Sequence, residues 1–154
     1  MTPPSADRPI VLVVDDQAMN LAICEAILSD RYEIECAGSG AQALEKVAAR
    51  APDLIMLDVM MPEMDGYEVC RRLKADPSTA RIPVIFLTGK HEIEDEIQGF
   101  ALGCVDYIGK PFNAALVLAR LDVHLKLAQR EKRLTEKLRE LGLADDPRFL
   151  DGPP

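Results

Sequence analysis

Short apolar runs alternate with amphipathic stretches along most of the chain. Five such runs are typical of β-strands, at residues 10–14, 32–37, 54–57, 83–87 and 105–108. Between them, apolar residues recur at the spacing of one helix face. Strands that alternate with helices favour a parallel sheet covered by helices on both faces.

Capping signals place the starts of three helices. Ser39 is followed three residues later by Gln42, which is a capping-box pattern. Asp65 stands in the same relation to Glu68, and Asn113 can cap the last helix. The predicted helices cover residues 18–29, 40–49, 66–74, 92–102 and 113–141.

The order of the strands follows from the handedness of their connections. Parallel strands are almost always joined by right-handed crossovers, which leaves few topologies. With five strands, the leading prediction is an α/β, flavodoxin-like sheet of order 2-1-3-4-5, with an extended C-terminal helix. Polar residues end its strands, so we expect them to converge at one edge: Asp15, Asp16, Asp58, Thr88 and Lys110.

Composition narrows the classes of partner. The chain has 154 residues, which suits one domain plus an extension, and its net charge of −8 argues against direct binding to nucleic acid or an anionic membrane. No apolar run approaches the roughly 20 residues that span a bilayer. The start of the chain lacks the pattern of a signal peptide. We therefore expect a cytoplasmic protein.

We expect a flexible leader at residues 1–8, a folded domain at 9–125, and a helical extension with a linker or tail at 126–154. In the extension Leu127, Leu134 and Leu141 recur seven residues apart. This pattern favours packing on a partner helix in a short, imperfect coiled coil, although a solvated helix stays possible. The second seam position would hold His124, Glu131 and Leu138.

Other reactive residues carry weaker signals. The four cysteines lack metal-ligand or redox spacing, so we expect small buried apolar residues at Cys24, Cys36, Cys70 and Cys104. His91 is expected to be a solvated residue at a helix start. His124 lies in no recognisable phosphotransfer setting.

The converging residues have a joint chemistry. Three carboxylates repel one another, so the cluster of Asp15, Asp16 and Asp58 favours a hard cation, and Mg²⁺ suits it. The Lys110 ammonium and the Thr88 hydroxyl can contact phosphoryl oxygens, and Asp58 can act as a nucleophile. Taken singly, Asp15 and Asp16 could cap a helix, Thr88 could bond to backbone, and Lys110 could be a surface lysine. The joint pattern favours the site.

Four motifs carry a resemblance to a known family. They are residues 11–16 (VLVVDD), 54–66 (LIMLDVMMPEMDG), 83–89 (PVIFLTG) and 106–112 (DYIGKPF). With them, the chain resembles the receiver domain of bacterial two-component response regulators over about residues 9–125.

The resemblance implies roles for the residues of the site. Asp58 would receive a phosphoryl group from a phosphohistidine of a sensor histidine kinase or phosphotransfer protein. Asp16 and Asp58, with the backbone carbonyl of Met60, would ligate Mg²⁺, and Asp15 would help through water. Met60 has no acidic or amide group to orient an attacking water, so we expect slow self-hydrolysis. Gly89 is small and would let the phosphodonor approach.

The resemblance also implies a conformational switch. Thr88 would move toward the phosphoryl group, and Tyr107 would swing into the vacated space. The alternative for Tyr107 is an ordinary strand aromatic packed against the last helix. The Lys110-Pro111 peptide bond is predicted to be cis.

The expected function is a phosphorelay response regulator receiver that controls a partner or output domain. It would not be an enzyme, but a phosphoacceptor that assists its own phosphorylation and dephosphorylation. No output domain is recognised after residue 125, so the chain acts alone or, as we favour, is the front part of a longer protein. A homodimer would form through the face of helix 4, strand 5 and helix 5, or through the C-terminal helix.

Two alternatives remain open. One is a non-phosphorylated interaction module of the same fold. The other is an aspartate-nucleophile phosphatase of the haloacid-dehalogenase type, which resembles Asp-x-Asp where this chain has Asp58 and Met60. Met60 offers no general acid, which argues against that enzyme.

Overall fold

A computed structural model of the protein describes residues 8–89 and 93–143. Most of the predicted leader, His91 and the tail from residue 144 lie outside the described residues. The domain boundaries expected at residues 8 and 125 therefore stay predictions.

Ten elements alternate along the described chain. The strands are β1 (Ile10–Val14), β2 (Glu33–Ala37), β3 (Leu54–Asp58), β4 (Val84–Thr88) and β5 (Asp106–Gly109). The helices are α1 (Ala18–Leu28), α2 (Gly40–Ala49), α3 (Gly66–Ala75), α4 (Ile93–Ala101) and α5 (Ala114–Glu140). Each lies within one residue of its predicted bounds.

The strands form one parallel sheet of order β2-β1-β3-β4-β5, which confirms the predicted topology. Val14 of β1 is level with Leu57 of β3, so the residues that follow them leave the sheet side by side. Asp58 pairs with Leu87 of β4. All connections return the chain to the same end, and the carboxyl ends of the strands therefore share one edge.

Two aliphatic cores cover the sheet, because alternate strand residues face opposite sides. Val11, Val13, Met56 and others pack against α1 and α5. Leu12, Ile55 and their neighbours pack against α2 and α3. Cys24, Cys70 and Cys104 are buried free thiols and Cys36 is partly buried, largely as predicted.

The predicted caps are present. The side chains of Ser39, Asp65 and Asn113 each accept a hydrogen bond from the backbone N–H three residues later. The alternative reading of residues 15–16 as a helix cap is wrong, since Gln17 occupies the N-cap of α1 without a side-chain bond. Neither aspartate is therefore the N-cap residue of α1, and both lie at the carboxyl edge of the sheet.

Helix α5 is much longer than the sheet it covers. Val117, Leu121 and Leu125 are buried, and the helix continues for 15 residues beyond Leu125. Glu131 of this extension pairs with Arg81 before β4, at 3.1 Å between Oε1 and the guanidinium. No helix among the described residues has the length and apolar character needed to cross a bilayer.

Gly66 backs directly onto the strand that ends at Asp58. A Cβ at this position would lie 2.2 Å from the carbonyl oxygen of Asp58 and 2.9 Å from Cα of Val59. The Gly66 N–H also donates to the Val59 carbonyl, at 2.9 Å. Both obstacles are backbone atoms, so a larger residue could fit only by displacing the strand end.

We predict that Gly66→Ala destabilises the protein by about 2–4 kcal/mol, because it overpacks backbone against backbone. Urea unfolding measures the change. Gly89→Ala is the matched control, since a Cβ there meets nothing within 4 Å. Equal stability of the two variants would contradict the steric account.

Candidate functional site

Three carboxylates meet at the carboxyl edge of the sheet. Asp15 and Asp16 follow β1, and Asp58 ends the adjacent strand β3. One ligand oxygen from each lies within 4.8 Å of the others. Asp15 is completely buried and Asp58 is 4% exposed, whereas Asp16 faces solvent. The predicted convergence of these aspartates is therefore present.

Lys110 supplies the positive charge of the cluster. Its backbone N–H donates to the carbonyl of Thr88 at 2.8 Å, which fixes the residue just after β5. Its Nζ lies 2.9 Å from Oδ2 of Asp15 and 3.2 Å from Oδ1 of Asp58. The Lys110-Pro111 peptide bond is cis, as predicted.

Backbone groups fix the two buried aspartates. Oδ1 of Asp15 accepts from the N–H of Gln17 at 2.9 Å, which turns the chain toward α1. Oδ1 of Asp58 accepts from the N–H of Met60 at 3.3 Å. The Met60 side chain is 78% exposed and stands beside the site.

The burial of these charges shifts their protonation equilibria. Burial raises the pKa of Asp58 to about 6, and the negative charge of Asp15 acts in the same direction. Lys110 and the Met60 N–H oppose this rise only in part. Burial alone would lower the pKa of Lys110, but its contacts with Asp15 and Asp58 outweigh burial and raise it.

The donor set fits a divalent cation. Three carboxylates face one ammonium group, which leaves excess negative charge at a site with an exposed side. Carboxylate oxygens are the ligands that Mg²⁺ prefers, and an exposed side allows it to keep water ligands. The residues present therefore suit the predicted ion.

Thr88 and Tyr107 occupy different positions relative to this cluster. Thr88 is the last residue of β4, next to the strand that carries Asp58. Tyr107 is 4% exposed, and its ring packs on Phe86 and on Phe100 of α4. The ring therefore packs on β4 and α4, and the alternative, packing on the last helix, is wrong. From α5, Arg120 donates to the backbone carbonyl of Tyr107.

Sequence reasoning missed one feature beside the site and one contact at the opposite end of β5. The motif at residues 54–66 contains Gly66 but does not reveal that this glycine sets how closely α3 approaches Asp58. His124 matches no functional motif, yet its Nε2 lies 3.0 Å from Oδ2 of Asp106 at the start of β5. For Gly66, the Asp65-Gly66 pair at the end of the loop is a local sequence signal. No local pattern predicts the contact between His124 and Asp106.

The arrangement matches a known family. The sequence model of the response regulator receiver domain matches residues 11–122. The chain belongs to this family. It is a phosphorelay response regulator receiver.

Curated relatives of this receiver are longer proteins. It is 45% identical over 143 residues to a Vibrio cholerae protein named "Probable cyclic di-GMP phosphodiesterase", a match to 88% of this chain and 32% of that protein. It is 45% identical over 112 residues to the response regulator PleD of Caulobacter vibrioides, covering 72% of this chain and 25% of PleD. The chain thus spans a third or less of these two relatives.

Solved structures agree with the fold. The chemotaxis protein CheY4 of Vibrio cholerae superposes with a TM-score of 0.72 at 32% identity. The match covers 75% of this chain and 97% of CheY4. The receiver fold therefore accounts for the sheet and its helices.

The raised pKa of Asp58 predicts a pH-dependent cost in the metal-free receiver. As the pH rises from 3.8, the ordinary carboxyl pKa, to about 6, the pKa in the folded protein, Asp58 loses its proton more readily in the unfolded chain than in the folded one. Rising pH in this range therefore favours the unfolded chain and lowers the free energy of unfolding. Asp58→Asn should therefore stabilise the protein by about 1–3 kcal/mol at pH 7.5, and by less than half as much near pH 4.5.

Urea unfolding in EDTA at the two pH values measures this gain. Asp30→Asn, an exposed aspartate outside the cluster, is the control and should change stability little. A pH-independent gain, or a loss at pH 7.5, would show that repulsion at Asp58 is not what limits stability there.

Proposed function

We propose that this receiver takes a phosphoryl group onto Asp58 from a phosphohistidine of a sensor histidine kinase or phosphotransfer protein. One observation carries the proposal: Asp58 lies within 4.8 Å of two further carboxylates and 3.2 Å from the Lys110 ammonium, measured between their nearest ligand atoms. This is a nucleophile beside a cation-binding cluster and a fixed positive charge.

Asp58 suits the acceptor role better than its neighbours. Asp15 is completely buried, with one oxygen bound to the Gln17 N–H and the other beside Lys110. Asp16 is exposed, which suits a metal ligand. Asp58 ends its strand with a small exposed fraction, and the Met60 N–H and the Lys110 ammonium both contact its Oδ1, so we assign the attack to its other oxygen.

The transfer needs positioning and charge more than covalent chemistry. An Asp58 oxygen attacks phosphorus, the phosphorus–nitrogen bond of the donor breaks, and the imidazole leaves with the electron pair and takes a proton from solvent. Lys110 offsets charge on the phosphoryl oxygens, and the Thr88 hydroxyl can hydrogen-bond one of them.

Mg²⁺ would be held by Asp16 and Asp58 with the carbonyl of Met60, and by Asp15 through water. When bound, it supplies positive charge beside the phosphoryl oxygens. Thr88 and Tyr107 are the proposed switch, since Thr88 ends β4 at the carboxyl edge of the sheet and Tyr107 is buried on the adjacent strand β5.

The output of the receiver is a separate part of the proposal. The match to the Vibrio cholerae relative reaches beyond the 112 residues that the family model covers, and the named activity of that relative is enzymatic. We propose that phosphorylation of this receiver controls an output domain or a partner, while the receiver itself only assists its own phosphorylation and dephosphorylation.

The first test uses a small phosphodonor such as acetyl phosphate with Mg²⁺ and intact-mass measurement. The wild type should gain about 80 Da, the mass of one phosphoryl group, and Asp58→Asn should gain nothing. Asp30→Asn is the matched control and should label as the wild type does. No label on the wild type would favour a non-phosphorylated interaction module, and steady hydrolysis of phosphate esters would favour a phosphatase.

The same labelled sample tests the role of Met60. Its side chain offers no acid or amide to orient water, so the label should persist well beyond seconds at neutral pH. A half-life of seconds would contradict this expectation.

Helix α5 and its extension present an apolar stripe. Leu116, Val123, Leu127, Leu134 and Leu141 are all large exposed hydrophobic residues. They are spaced by seven, four, seven and seven residues, which keeps them on one helix face. Two residues of the predicted second seam position make contacts within the chain, since His124 lies beside Asp106 and Glu131 pairs with Arg81.

We propose that a second copy of the chain packs on this stripe. Leu116 and Val123 lie in the part of α5 that covers the sheet, so the stripe is continuous with the α4–β5–α5 face. An apolar stripe flanked by charged residues is the usual surface of a helix pair. Ile97 and Phe100 of α4 extend the exposed apolar surface.

Sedimentation of the phosphorylated receiver should show a dimer. Replacing Leu127 and Leu134 by Asn should weaken dimerisation by more than about ten-fold, equivalent to roughly 1.4 kcal/mol. Ile23→Asn changes an exposed apolar residue of α1 and is the control. A wild type that stays monomeric with and without the phosphodonor would exclude the dimer.

A further inference from the structure

The phenol of Tyr107 is inserted beneath α4. The ring is 4% exposed, with its centroid 5.5 Å from that of Phe86 and 5.4 Å from that of Phe100. The contact with Phe100 is edge-to-face, at an interplanar angle of 72°. The ring thus lies between the sheet and α4.

Gly99 of α4 provides the space for the hydroxyl. A Cβ at Gly99 would lie 1.8 Å from the hydroxyl oxygen of Tyr107 and 2.7 Å from its Cζ. It would also lie 3.0 Å from Cε2 of Phe86. A residue with any side chain at this position is therefore incompatible with the observed position of Tyr107.

Polar groups from α4, from α3 and from the connection before β5 surround the same hydroxyl. It donates to the backbone carbonyl of Glu96 in α4, at 3.4 Å. It also makes a side-chain hydrogen bond with Tyr67 of α3, and another joins Tyr107 to Cys104, just before β5. A buried hydroxyl needs such partners, because leaving it unsatisfied costs free energy.

Tyr67 is well placed for this contact. Its ring packs edge-on against Phe86, with centroids 5.3 Å apart and an interplanar angle of 70°. Tyr67 lies in the first turn of α3, next to Gly66, which backs onto Asp58. The hydroxyl of Tyr107 thus joins α4 to the helix that begins behind the acceptor aspartate.

We propose that Gly99 and Tyr67 are positioning residues that form a socket for the Tyr107 side chain and so hold it inward. The occupied socket fixes where α4 and its exposed Phe100 lie on the sheet. The signalling consequence rests on the proposed phosphorylation of Asp58: a receiver that cannot fill the socket should accept the phosphoryl group but fail to transmit it to the α4 surface.

Helix propensity makes Gly99→Ala a sharp test. An alanine inside a helix is intrinsically more favourable than glycine, so without the socket this change should raise stability. With the socket, the new methyl group expels the Tyr107 ring, and stability should fall. The obstructing atoms belong to the end of a rotatable side chain, so the protein should still fold.

The position of Tyr107 can be read by fluorine NMR of protein containing 3-fluorotyrosine. The chain has three tyrosines, so each resonance can be assigned with a single Tyr→Phe variant. In the wild type the Tyr107 resonance should be shielded from solvent. In Gly99→Ala its solvent isotope shift should rise to that of an exposed tyrosine, and Tyr67→Phe should shift it part of the way.

Two control variants match these changes. Gly38→Ala adds a methyl group whose nearest contact is the Gln42 side chain at 3.6 Å, and Tyr32→Phe removes a hydroxyl from the other face of the sheet. Neither should alter the Tyr107 resonance. In a Tyr107→Ala background, Gly99→Ala should stop being destabilising, because no phenol remains to be expelled.

Three results would overturn the proposal. They are a Tyr107 resonance that stays shielded in Gly99→Ala, an equal loss of stability with and without the Tyr107 side chain, and an unchanged Tyr107 resonance in Tyr67→Phe. These readouts use the unphosphorylated protein. Failure of the wild type to gain mass from acetyl phosphate would instead refute the function of Asp58 and leave the socket intact.

The signalling consequence has its own measurement. Labelling with acetyl phosphate should proceed in Gly99→Ala within about two-fold of the wild-type rate, since the site is unaltered. Phosphorylation should shift the Tyr107 resonance in the wild type only. A Gly99→Ala receiver that shows the wild-type shift on phosphorylation would contradict the link to α4.

Discussion

The contact of Lys110 with Asp15 and Asp58 is the interaction on which the functional edge depends. Two carboxylates are almost removed from water there, and the desolvation of a charge costs several kcal/mol unless a partner compensates for it. One ammonium group cannot neutralise three aspartates. The edge therefore favours added positive charge, which is also what a phosphoryl transfer onto Asp58 requires.

Packing of the cores holds the three aspartates close together despite their mutual repulsion. The aliphatic cores on both faces fix the strand ends, and Gly66 allows α3 to approach the backbone of Asp58. The site cannot relax by separating its charges, because each carboxylate is attached to a buried strand or to the residue that follows one. Stability lost at the edge is offset by apolar burial elsewhere, a common arrangement at functional sites.

A row of aromatic rings leads from this edge toward α4. Tyr67, Phe86, Tyr107 and Phe100 contact one another in sequence. The row begins in the helix behind Asp58 and ends on an exposed surface. The Tyr107 phenol fits beneath α4 because Gly99 has no side chain, so the row is packed without a gap at this helix.

The amino-acid sequence by itself determined the strands, the helices, three caps and the acidic cluster. These depend on local periodicity, on short-range hydrogen bonds and on the rule that parallel strands end at one edge. The tertiary structure decided that Tyr107 packs under α4, that Gly66 and Gly99 are steric requirements, and that Val123 rather than His124 faces outward. Those facts arise between residues remote in sequence, where the outcome depends on how side chains fill a shared space, and no local pattern encodes that.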